Sequence, residues 1–464
     1  MAEFPPELKD EFKEGLALLQ AGKFMPATAR FSVVARRAPH YPAALSNLAL
    51  SYFKSGEFEA AEDAYRQALE IFPDDSEIAF GLAATIQEAG RLEEACARYK
   101  NFLKLKPQHV SALHNLANAL RDLGQFDEAI ENYRKALSLK PDHHMCRLGY
   151  STALFYRGDW PEAWRMFEAR LNAARIIPSM SFQSQKSPGG VGAPQHWTGG
   201  PQPQSLLVIA EQGRGDTLQF ARFLPELARN GRIALFVASE MIALLRTLDA
   251  PIEFVSRAGG TVQGISGWVP LLSIPLALQL LPGAFAPKIP YLAADPGRAA
   301  RWREKLGPHG FKVGISWQGN PEHANDRRRS LPLAAFAPLA RVPSVRLISL
   351  QKGHGEEQVA QAPFPIEVLG PGFNPPPDAF LDSAAVMMAL DLVITVDSAP
   401  AHLAGALGRP VWVLLPKAPD WRWLYSGERN PFYPTARLFR QEVSGDWTGV
   451  MTRVAGELAG QARL

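Results

Sequence analysis

Two acidic side chains stand where a buried strand gives way to a helix, the place where open α/β sheets bind ligands. Asp216 closes the loop EQGRGD, which follows the apolar run at residues 205–210. Asp397 directly follows a second apolar run at residues 392–396. Because ligands bind at the carboxyl ends of parallel strands, we expect both carboxylates beside one cleft. The glycine-rich loop before Asp216 lacks the full G-x-G-x-x-G spacing, so it gives little support for dinucleotide binding.

The segment after Asp397 is typical of a helix N-terminus that binds an anion. Ser398 stands at the N-cap position and Pro400 in the first turn. The unpaired N–H groups there, with the helix dipole, suit a diphosphate. Asp397 would repel phosphate, so we assign it to sugar hydroxyls, while His402 lies one turn into the helix. The alternative is that Ser398 only caps the helix and His402 packs against the sheet.

A basic loop follows the apolar run at residues 312–317 and offers further contacts for the same ligand. Gln318 and Asn320 come directly after the run, and three consecutive arginines end at Arg329. Arginine geometry favours two-pronged contacts to phosphate. We therefore take Gln318, Asn320 and Arg329 as candidate donor-binding residues. A charged surface turn is the alternative.

Short apolar runs alternate with helical stretches from residue 205 onward, which indicates parallel α/β sheets. The first set of candidate strands lies at residues 205–210, 232–238 and 252–255. The second set lies at residues 312–317, 345–350, 366–369, 392–396 and 411–415. Two sets predict two Rossmann-like domains, at residues 205–296 and 297–464, that face each other across a cleft. A single large open sheet is the alternative.

The first third of the chain repeats every 34 residues. Glycine, alanine and an aromatic residue recur in phase at Gly22, Ala27 and Phe31, at Gly56, Ala61 and Tyr65, and in three further units. Glycine ends one helix in a left-handed conformation, and the small alanine lets two helices approach closely. Such units stack into a solenoid, which we predict over residues 1–177. A Pro- and Gly-rich linker is then predicted at residues 178–204.

Asparagines recur on the first helix of the predicted repeats. Asn47 and Asn115 occupy the same repeat position, and Asn118 lies one turn further along. Because the first helices line the concave face, these side chains are candidates to hold an extended peptide by its backbone amides. Gly81 and Gly149 occupy the position in other repeats, so the asparagine column is incomplete. A solvated polar surface is the alternative.

Composition narrows the class of protein further. The chain has 464 residues and a formal net charge of only +3, which gives no case for nucleic-acid binding. No apolar run approaches the length of a transmembrane helix, and the acidic N-terminus has no apolar segment typical of a secretion signal. The two cysteines, Cys96 and Cys146, lie in helical patterns and indicate reduced, buried thiols. We therefore expect a cytoplasmic location.

Segments in both halves resemble bacterial proteins that fuse tetratricopeptide repeats to a heptosyltransferase-type glycosyltransferase module of GT-B fold. The repeat columns cover residues 8–177. The module is matched by AEQGRGDTLQFARFLP, NPEHANDRRRSLPL, DLVITVDSAPAHLAGALGRPVWVLLP and PDWRWL. The resemblance thus covers nearly the whole chain, and it implies an α solenoid followed by two Rossmann-like domains.

The resemblance also implies roles for single residues. Asp216 becomes the general base that deprotonates the acceptor hydroxyl. The residues implied around the donor sugar and diphosphate are Asp397, Ser398, Ala399, His402 and Arg329. The family pattern D-T-G-x-x-H has glycine where this chain has Ala399, which limits backbone approach to phosphate. Such enzymes generally need no metal and no cofactor, since the nucleotide sugar is a substrate.

Three functions are compatible with these features. The first is an inverting glycosyltransferase that moves a sugar from a nucleotide-activated donor to a Ser or Thr hydroxyl of a protein held by the repeats. The second is a transferase acting on lipopolysaccharide or another glycan, with the repeats used for assembly. The third is a non-catalytic adaptor with an inactive transferase module. Intact Asp216 and Asp397 argue against the third.

Overall fold

The computed structural model of the chain describes residues 5–173, 194–281, 289–323, 325–375 and 380–462. The chain divides into two compact units, Met1–Arg157 and Gly158–Leu464. The described part of the first unit is helical, and the second unit carries two parallel β-sheets. The predicted fold class, a helical solenoid followed by two α/β domains, is therefore confirmed, and the alternative of one large sheet is wrong.

The solenoid helices follow the 34-residue period. In the first unit they are α1 (Lys9–Gln20), α2 (Phe24–Arg37), α3 (Pro42–Ser55), α4 (Phe58–Ile71), α5 (Ser76–Glu88), α6 (Leu92–Leu105), α7 (Val110–Asp122), α8 (Phe126–Leu139) and α9 (His144–Arg157). Each helix packs mainly on its neighbours in sequence. The second unit opens with α10 (Trp160–Phe167) and α11 (Arg170–Ala173).

The repeated glycines, alanines and aromatic residues have the conformation and burial that their types predict. The period glycines have φ values between 72° and 96°, the left-handed conformation that ends a helix; they are Gly22, Gly56, Gly90, Gly124 and Gly158. The repeated alanines are fully buried, at Ala27, Ala61, Ala95, Ala129 and Ala163. Buried aromatic residues fill the space beside them, at Phe31, Tyr65, Tyr99 and Tyr133. Burial raises the pKa of Tyr65 to about 12.

The glycines that interrupt the asparagine column have a packing reason. A Cβ atom at Gly81 would lie 2.4 Å from Cζ of Tyr65. At Gly149 it would lie 2.7 Å from the hydroxyl oxygen of Tyr133. Any side chain at these positions would displace an aromatic residue of the preceding repeat. The column is therefore incomplete because the solenoid core needs the space.

The first sheet of the second unit is parallel throughout. Its strands are β1 (Gln195–His196), β2 (Ser205–Ile209), β3 (Arg232–Val237), β4 (Ile252–Ser256) and β5 (Gly267–Pro270), in the order β1-β5-β2-β3-β4. Its helices are α12 (Arg214–Phe220), α13 (Leu224–Asn230), α14 (Ser239–Leu245) and α15 (Ile274–Ala277). The inner strands are apolar nearly throughout, as expected for strands covered on both faces.

The second sheet repeats this plan. Its strands are β6 (Phe311–Ser316), β7 (Val345–Ser349), β8 (Leu392–Val396), β9 (Val411–Leu415) and β10 (Ala436–Arg440), in the order β10-β9-β8-β6-β7. Its helices are α16 (Pro296–Leu306), α17 (Asp326–Arg329), α18 (Ala337–Ala340), α19 (Leu381–Met387), α20 (Ala399–Ala406) and α21 (Trp447–Gln461). Trp317, Phe336 and Trp412 are among the buried residues of its core.

Four strand assignments differ from the sequence-based prediction. Residues 366–369 form no strand, only an isolated bridge between Glu367 and Ile348. Three strands were missed: β1 has two residues, β5 contains glycine and proline, and β10 carries Arg437 and Arg440. None of these has the apolar run on which the prediction relied, and both β1 and β10 lie at sheet edges.

The helices α10 and α11 are anchored in the second unit. Trp164 is buried, with its ring centroid 5.4 Å from that of Trp421. Arg170 Nη2 lies 2.9 Å from Glu211 Oε1, and both side chains are almost inaccessible. Glu211 Oε2 also accepts the N–H of Leu271 at 3.0 Å. Burial raises the pKa of Glu211 against the pull of Arg170. These contacts hold α10 and α11 against the strand ends of the first sheet within the second unit.

The strand β1 lies inside the segment predicted as linker. Its His196 ring stacks on that of Trp268 at 4.3 Å, so this part of the segment belongs to the first sheet. Of the linker predicted at residues 178–204, residues 178–193 lie outside the described residues. The domain limits at residues 177, 204 and 296 stay predictions. Within the described ranges, no helix is long and apolar enough to cross a membrane.

Candidate active site

Asp216 lies in the first turn of α12, at the carboxyl end of β2. Its Oδ2 accepts the backbone N–H of Gly213 at 3.0 Å, which caps the helix. Its Oδ1 lies 2.5 Å from Nη2 of Arg422, a residue of the other α/β domain. The side chain thus caps α12 with one oxygen and contacts a charged partner with the other.

Arg422 is held between two carboxylates. It belongs to a short 3-10 helix, Trp421–Trp423, after β9. Its Nη1 donates to Asp420 Oδ1 at 2.8 Å, while its Nη2 contacts Asp216. The guanidinium also lies over the ring of Trp421, 4.6 Å from the centroid. Burial opposes the charged form, but Asp420 and Asp216 outweigh it and raise the pKa of Arg422.

The helices α12 and α20 meet at a glycine. A Cβ atom at Gly215 would lie 2.9 Å from His402 Cδ2 and 3.6 Å from Ala399 Cα. Only a residue without a side chain allows this approach, which explains the glycine before Asp216. The contact brings Asp216 next to the first turn of α20, so the two halves of the predicted site lie together.

The start of α20 has the predicted form. Ser398 is the N-cap residue, and Pro400 stands in the first turn. The serine hydroxyl makes no capping hydrogen bond. It lies 3.2 Å from the hydroxyl of Thr395 and 3.3 Å from the carbonyl oxygen of Val396. Ser398 therefore stands at the N-cap, but its side chain binds none of the first N–H groups of α20, and its assignment to the donor site stays a prediction.

Asp397 is buried beside a tryptophan. The indole Nε1–H of Trp423 donates to its Oδ1 at 2.7 Å. Burial, helped by the charge of Asp420, raises the pKa of Asp397 to about 6, although Arg329 acts in the opposite direction. The carboxyl group therefore changes charge closer to neutral pH than an ordinary aspartate does.

His402 is buried and neutral. Its Nδ1 lies 3.0 Å from the hydroxyl of Tyr433, and its ring stacks on that of Trp423 with 5.1 Å between centroids. Burial and the charges of Arg422 and Arg222 hold the pKa of His402 well below its usual value. The imidazole therefore acts as a hydrogen-bonding group here, and not as a cation for phosphate.

Of the three consecutive arginines, Arg329 turns inward. Arg327 and Arg328 are exposed, whereas the side chain of Arg329 is 16% exposed. Its Nε lies 3.3 Å from Asp326 Oδ1, and its charge acts on both Asp397 and His402. A Cβ atom at Gly319 would come within 2.6 Å of Asp326 Oδ1 and 2.7 Å of Arg329 Nη2, so a side chain there would displace this ion pair.

Gln318 and Asn320 are engaged by neighbouring loops. Gln318 Oε1 accepts a hydrogen bond from Gln358 Nε2 at 3.0 Å. Asn320 is exposed, and its Oδ1 accepts the N–H of Glu322 at 3.1 Å. These contacts stabilise turns. The assignment of Gln318 and Asn320 as donor-binding residues stays a prediction.

The three asparagines of the repeats also have internal partners. Asn47 Nδ2 donates to the carbonyl oxygen of Ala43 at 2.7 Å, and Asn115 Nδ2 donates to the hydroxyl of Tyr99 at 3.2 Å. Asn118 Oδ1 accepts the hydroxyl of Tyr133 at 2.6 Å. All three side chains are half-buried. An amide has further hydrogen-bonding capacity, so binding of a peptide stays a prediction.

The prediction of site residues missed the segment after β9. Arg422 contacts Asp216, Trp423 contacts Asp397 and Tyr433 contacts His402, while Asp420 contacts Arg422. The available signal was the position of PDWRW after an apolar strand, since ligands bind at the carboxyl ends of strands. An arginine between two tryptophans and beside an aspartate is unusual for a surface loop. Among the described residues, no cluster of three His, Cys, Asp or Glu side chains could hold a metal ion.

The pKa of Asp397 predicts a pH-dependent stability. The folded value of about 6 lies above the ~4 expected when unfolded, so the proton stabilises the native state. This contribution is complete below about pH 4 and is lost as the pH rises to about 6. Relative to Asp397→Asn, wild-type protein should lose on the order of 2–3 kcal/mol of stability between pH 4 and 7.

Thermal unfolding of both proteins across this pH range measures the difference. Asparagine keeps the oxygen that accepts the Trp423 N–H, so it changes the charge and little else. Parallel melting curves at all pH values would show that Asp397 does not titrate in this range.

Family comparisons agree with these features. Residues 42–75 and 110–143 match the tetratricopeptide repeat, and residues 376–417 match glycosyltransferase family 9 (heptosyltransferase). Protein FlbA of Caulobacter vibrioides is 31% identical over 334 residues, which are 66% of this chain and 54% of FlbA. The chain therefore spans about half of the length of this curated relative.

Solved structures of MamA also resemble part of the chain. MamA from Desulfovibrio magneticus RS-1 gives a TM-score of 0.35 at 17% identity, covering 38% of this chain and 100% of that one. Another MamA crystal structure gives a TM-score of 0.31 at 21% identity. This match covers 34% of this chain and 92% of the MamA chain. Both TM-scores are below 0.5. The repeats, the two parallel sheets and the family matches agree that this chain combines tetratricopeptide repeats with an α/β part in which residues 376–417 match glycosyltransferase family 9 (heptosyltransferase).

Proposed function

We propose that this chain is an inverting glycosyltransferase of GT-B fold that transfers a sugar from a nucleotide-activated donor to a Ser or Thr hydroxyl of a protein held by the repeats. The family match at residues 376–417 supports the transferase part. The observation that carries the proposal is the contact at Gly215, which holds Asp216 beside the start of α20. A proton acceptor and a helix start suited to phosphate then lie in one site.

The donor diphosphate is expected at the start of α20. The Ser398 hydroxyl is turned toward β8, so it leaves the N–H of Ala399 for a phosphate oxygen. Pro400 has no N–H, and the N–H of Ala401 donates to the carbonyl oxygen of Ser398 at 3.0 Å. The Cβ of Ala399 narrows the approach, as the departure from the family pattern implies. Arg329 and Arg422 supply positive charge nearby without a metal ion. This arrangement supports a metal-independent reaction.

The sugar is expected beside Asp397 and His402. Both side chains are buried, and both have one hydrogen-bonding partner from the segment after β9. Neutral His402 offers its second ring nitrogen to a hydroxyl group. Asp397 accepts hydrogen bonds from sugar hydroxyls when it is charged. These two positions would therefore recognise the sugar, and the arginines the diphosphate.

In the proposed transfer step, Asp216 is the general base. Its carboxylate takes the proton of the acceptor hydroxyl while the acceptor oxygen forms a bond to the anomeric carbon. The bond from that carbon to the diphosphate oxygen breaks, and its electron pair leaves with the nucleoside diphosphate. Attack from the side opposite to the leaving group inverts the anomeric centre. Arg329 and the α20 helix start stabilise the developing charge. The nucleotide sugar is a substrate, and no cofactor takes part.

The proposal includes a protein acceptor and a cytoplasmic location. The repeats provide an extended surface suited to a polypeptide, with Asn47, Asn115 and Asn118 as candidate contacts. Cys96 and Cys146 are free and buried, which agrees with the cytoplasm as the proposed location.

Donor binding tests the proposal directly. Replacing Arg329 by alanine should weaken the binding of a nucleoside diphosphate about 10–100-fold, since it removes a charged contact. Isothermal titration calorimetry with UDP, GDP and ADP on the full chain measures this.

The matched control is Arg328→Ala, because Arg328 is the adjacent arginine but is exposed. Its affinity should stay within about twofold of wild type. Equal weakening by both substitutions would indicate a general charge effect, and no weakening by Arg329→Ala would place the diphosphate elsewhere.

A further inference from the structure

The ion pair between Arg422 and Asp216 links the proposed base to the proposed donor site. Arg422 Nη2 lies 2.5 Å from Asp216 Oδ1, and its Nη1 lies 2.8 Å from Asp420 Oδ1. The third nitrogen, Nε, is buried and has no hydrogen-bond partner among the described residues. The two carboxylates come from different α/β domains, so one guanidinium bridges both halves of the site.

The position of this guanidinium matters because of what lies around it. Asp397 also acts on its charge, and Arg422 in turn acts on His402. Arg422 therefore contacts Asp216 and also lies within electrostatic reach of Asp397 and His402, which flank the start of α20. A diphosphate at the start of α20 would bring further negative charge within reach of Arg422. Guanidinium groups bind phosphate with two parallel hydrogen bonds and so compete well with a carboxylate.

The backbone that carries Arg422 is held firmly, so the end of the side chain is the part that can move. Trp421 packs its ring against those of Trp164 and Phe167, at 5.4 and 5.8 Å between centroids. Trp423 is fully buried and bound to Asp397. Asn430 Nδ2 donates to the carbonyl oxygen of Arg422 at 2.8 Å. The flexible three-carbon side chain then allows the guanidinium to change partner while its backbone stays in place.

We propose that Arg422 is a positioning residue that exchanges Asp216 for the donor diphosphate, so that the base is released when the donor binds. In the structure the guanidinium contacts Asp216 Oδ1, the oxygen not used to cap α12. With a diphosphate bound, the guanidinium turns to the phosphate oxygens, and Asp216 Oδ1 becomes available to the acceptor hydroxyl. This inference rests on the proposed function, and it adds an order: donor before acceptor.

The exchange predicts a change in diphosphate affinity that can be measured without any sugar transfer. If the diphosphate competes with Asp216 for Arg422, removing the charge of Asp216 should tighten diphosphate binding. Asp216→Asn should therefore bind its preferred diphosphate among UDP, GDP and ADP about tenfold more tightly than wild type. In an Arg422→Gln background the same substitution should change the affinity less than about twofold, since the competing partner is absent.

The experiment is a double-mutant cycle on the full chain, measured by calorimetry with UDP, GDP and ADP. Equal tightening in both backgrounds would mean that Asp216 simply repels the diphosphate, and no tightening in the wild-type background would mean that the ion pair does not compete. Either result overturns the exchange and leaves the proposed function intact. If wild-type protein binds none of the three, both proposals fall.

A second variant is needed if replacing the buried Arg422 by glutamine prevents folding. Thermal unfolding shows first whether Arg422→Gln is folded. If it is not, Arg422→Lys takes its place, since lysine keeps the charge but cannot bridge two partners with parallel hydrogen bonds. Asp216→Asn should then tighten binding by a factor clearly below the tenfold expected beside arginine. The full tenfold gain beside lysine would overturn the proposal.

Discussion

Replacing Asp216 by asparagine is expected to lower sugar transfer about 10²–10⁴-fold, the usual contribution of a general base. The amide keeps the shape of the carboxylate and still accepts the N–H of Gly213 that caps α12. Proton transfer is then lost while the fold is kept. Donor binding should be retained or become tighter, because Arg422 loses a competing partner.

A single-turnover assay with labelled nucleotide sugar and protein acceptor measures this effect. The matched control is Asp420→Asn, which removes the other carboxylate bound to Arg422 but leaves α12 unchanged. That variant should keep its transfer rate within about tenfold of wild type. An active Asp216→Asn protein with a lower melting temperature would show that Asp216 serves only as a helix cap.

Removing the solenoid is expected to abolish transfer to protein while donor binding persists. The repeats would hold the acceptor at an effective concentration on the order of millimolar beside the site. The cut belongs between Arg157 and Gly158, where the chain divides into its two compact units. A cut at residue 177 would also remove Trp164 and Arg170, which are buried in the second unit.

The assay is transfer of a labelled sugar to proteins in lysate of the native host, with UDP, GDP or ADP binding as proof that the shortened protein is folded. In the full chain, Asn47→Ala with Asn115→Ala should weaken labelling in the same direction but less severely. Asn101→Ala is the control, because Asn101 is exposed on α6, the second helix of its repeat. Equal labelling without the repeats would favour a glycan acceptor. Labelling by neither protein would favour an inactive adaptor.

In the repeats, the sequence pattern predicted the local backbone conformation but not the packing between repeats. Each period glycine predicted a left-handed helix end, and each has one, because the requirement is local to a few residues. The gaps in the asparagine column were visible but unexplained. Gly81 is needed because the ring of Tyr65, from the preceding repeat, occupies the space of its side chain. That reason lies between repeats and appears only in the packed structure.

The strands show the same division. Apolar runs such as β8 and β9 are buried on both faces, and their composition alone predicted them. β5 contains Gly267 and Pro270 and still pairs with β2 near the centre of its sheet. Its residues have little intrinsic preference for a strand, so the neighbouring strands decide its conformation.

The sequence by itself determined the candidate base, the helix start proposed to bind an anion and the order of helical repeats and α/β sheets, because each depends on residues that are close together in the chain. Only the tertiary structure decided which groups share the site. Asp216 and Arg422 are separated by 206 positions, and no local preference connects them. Burial then decided the charges, raising the pKa of Asp397 to about 6 and keeping His402 neutral, since desolvation depends on all the chain segments that surround a group.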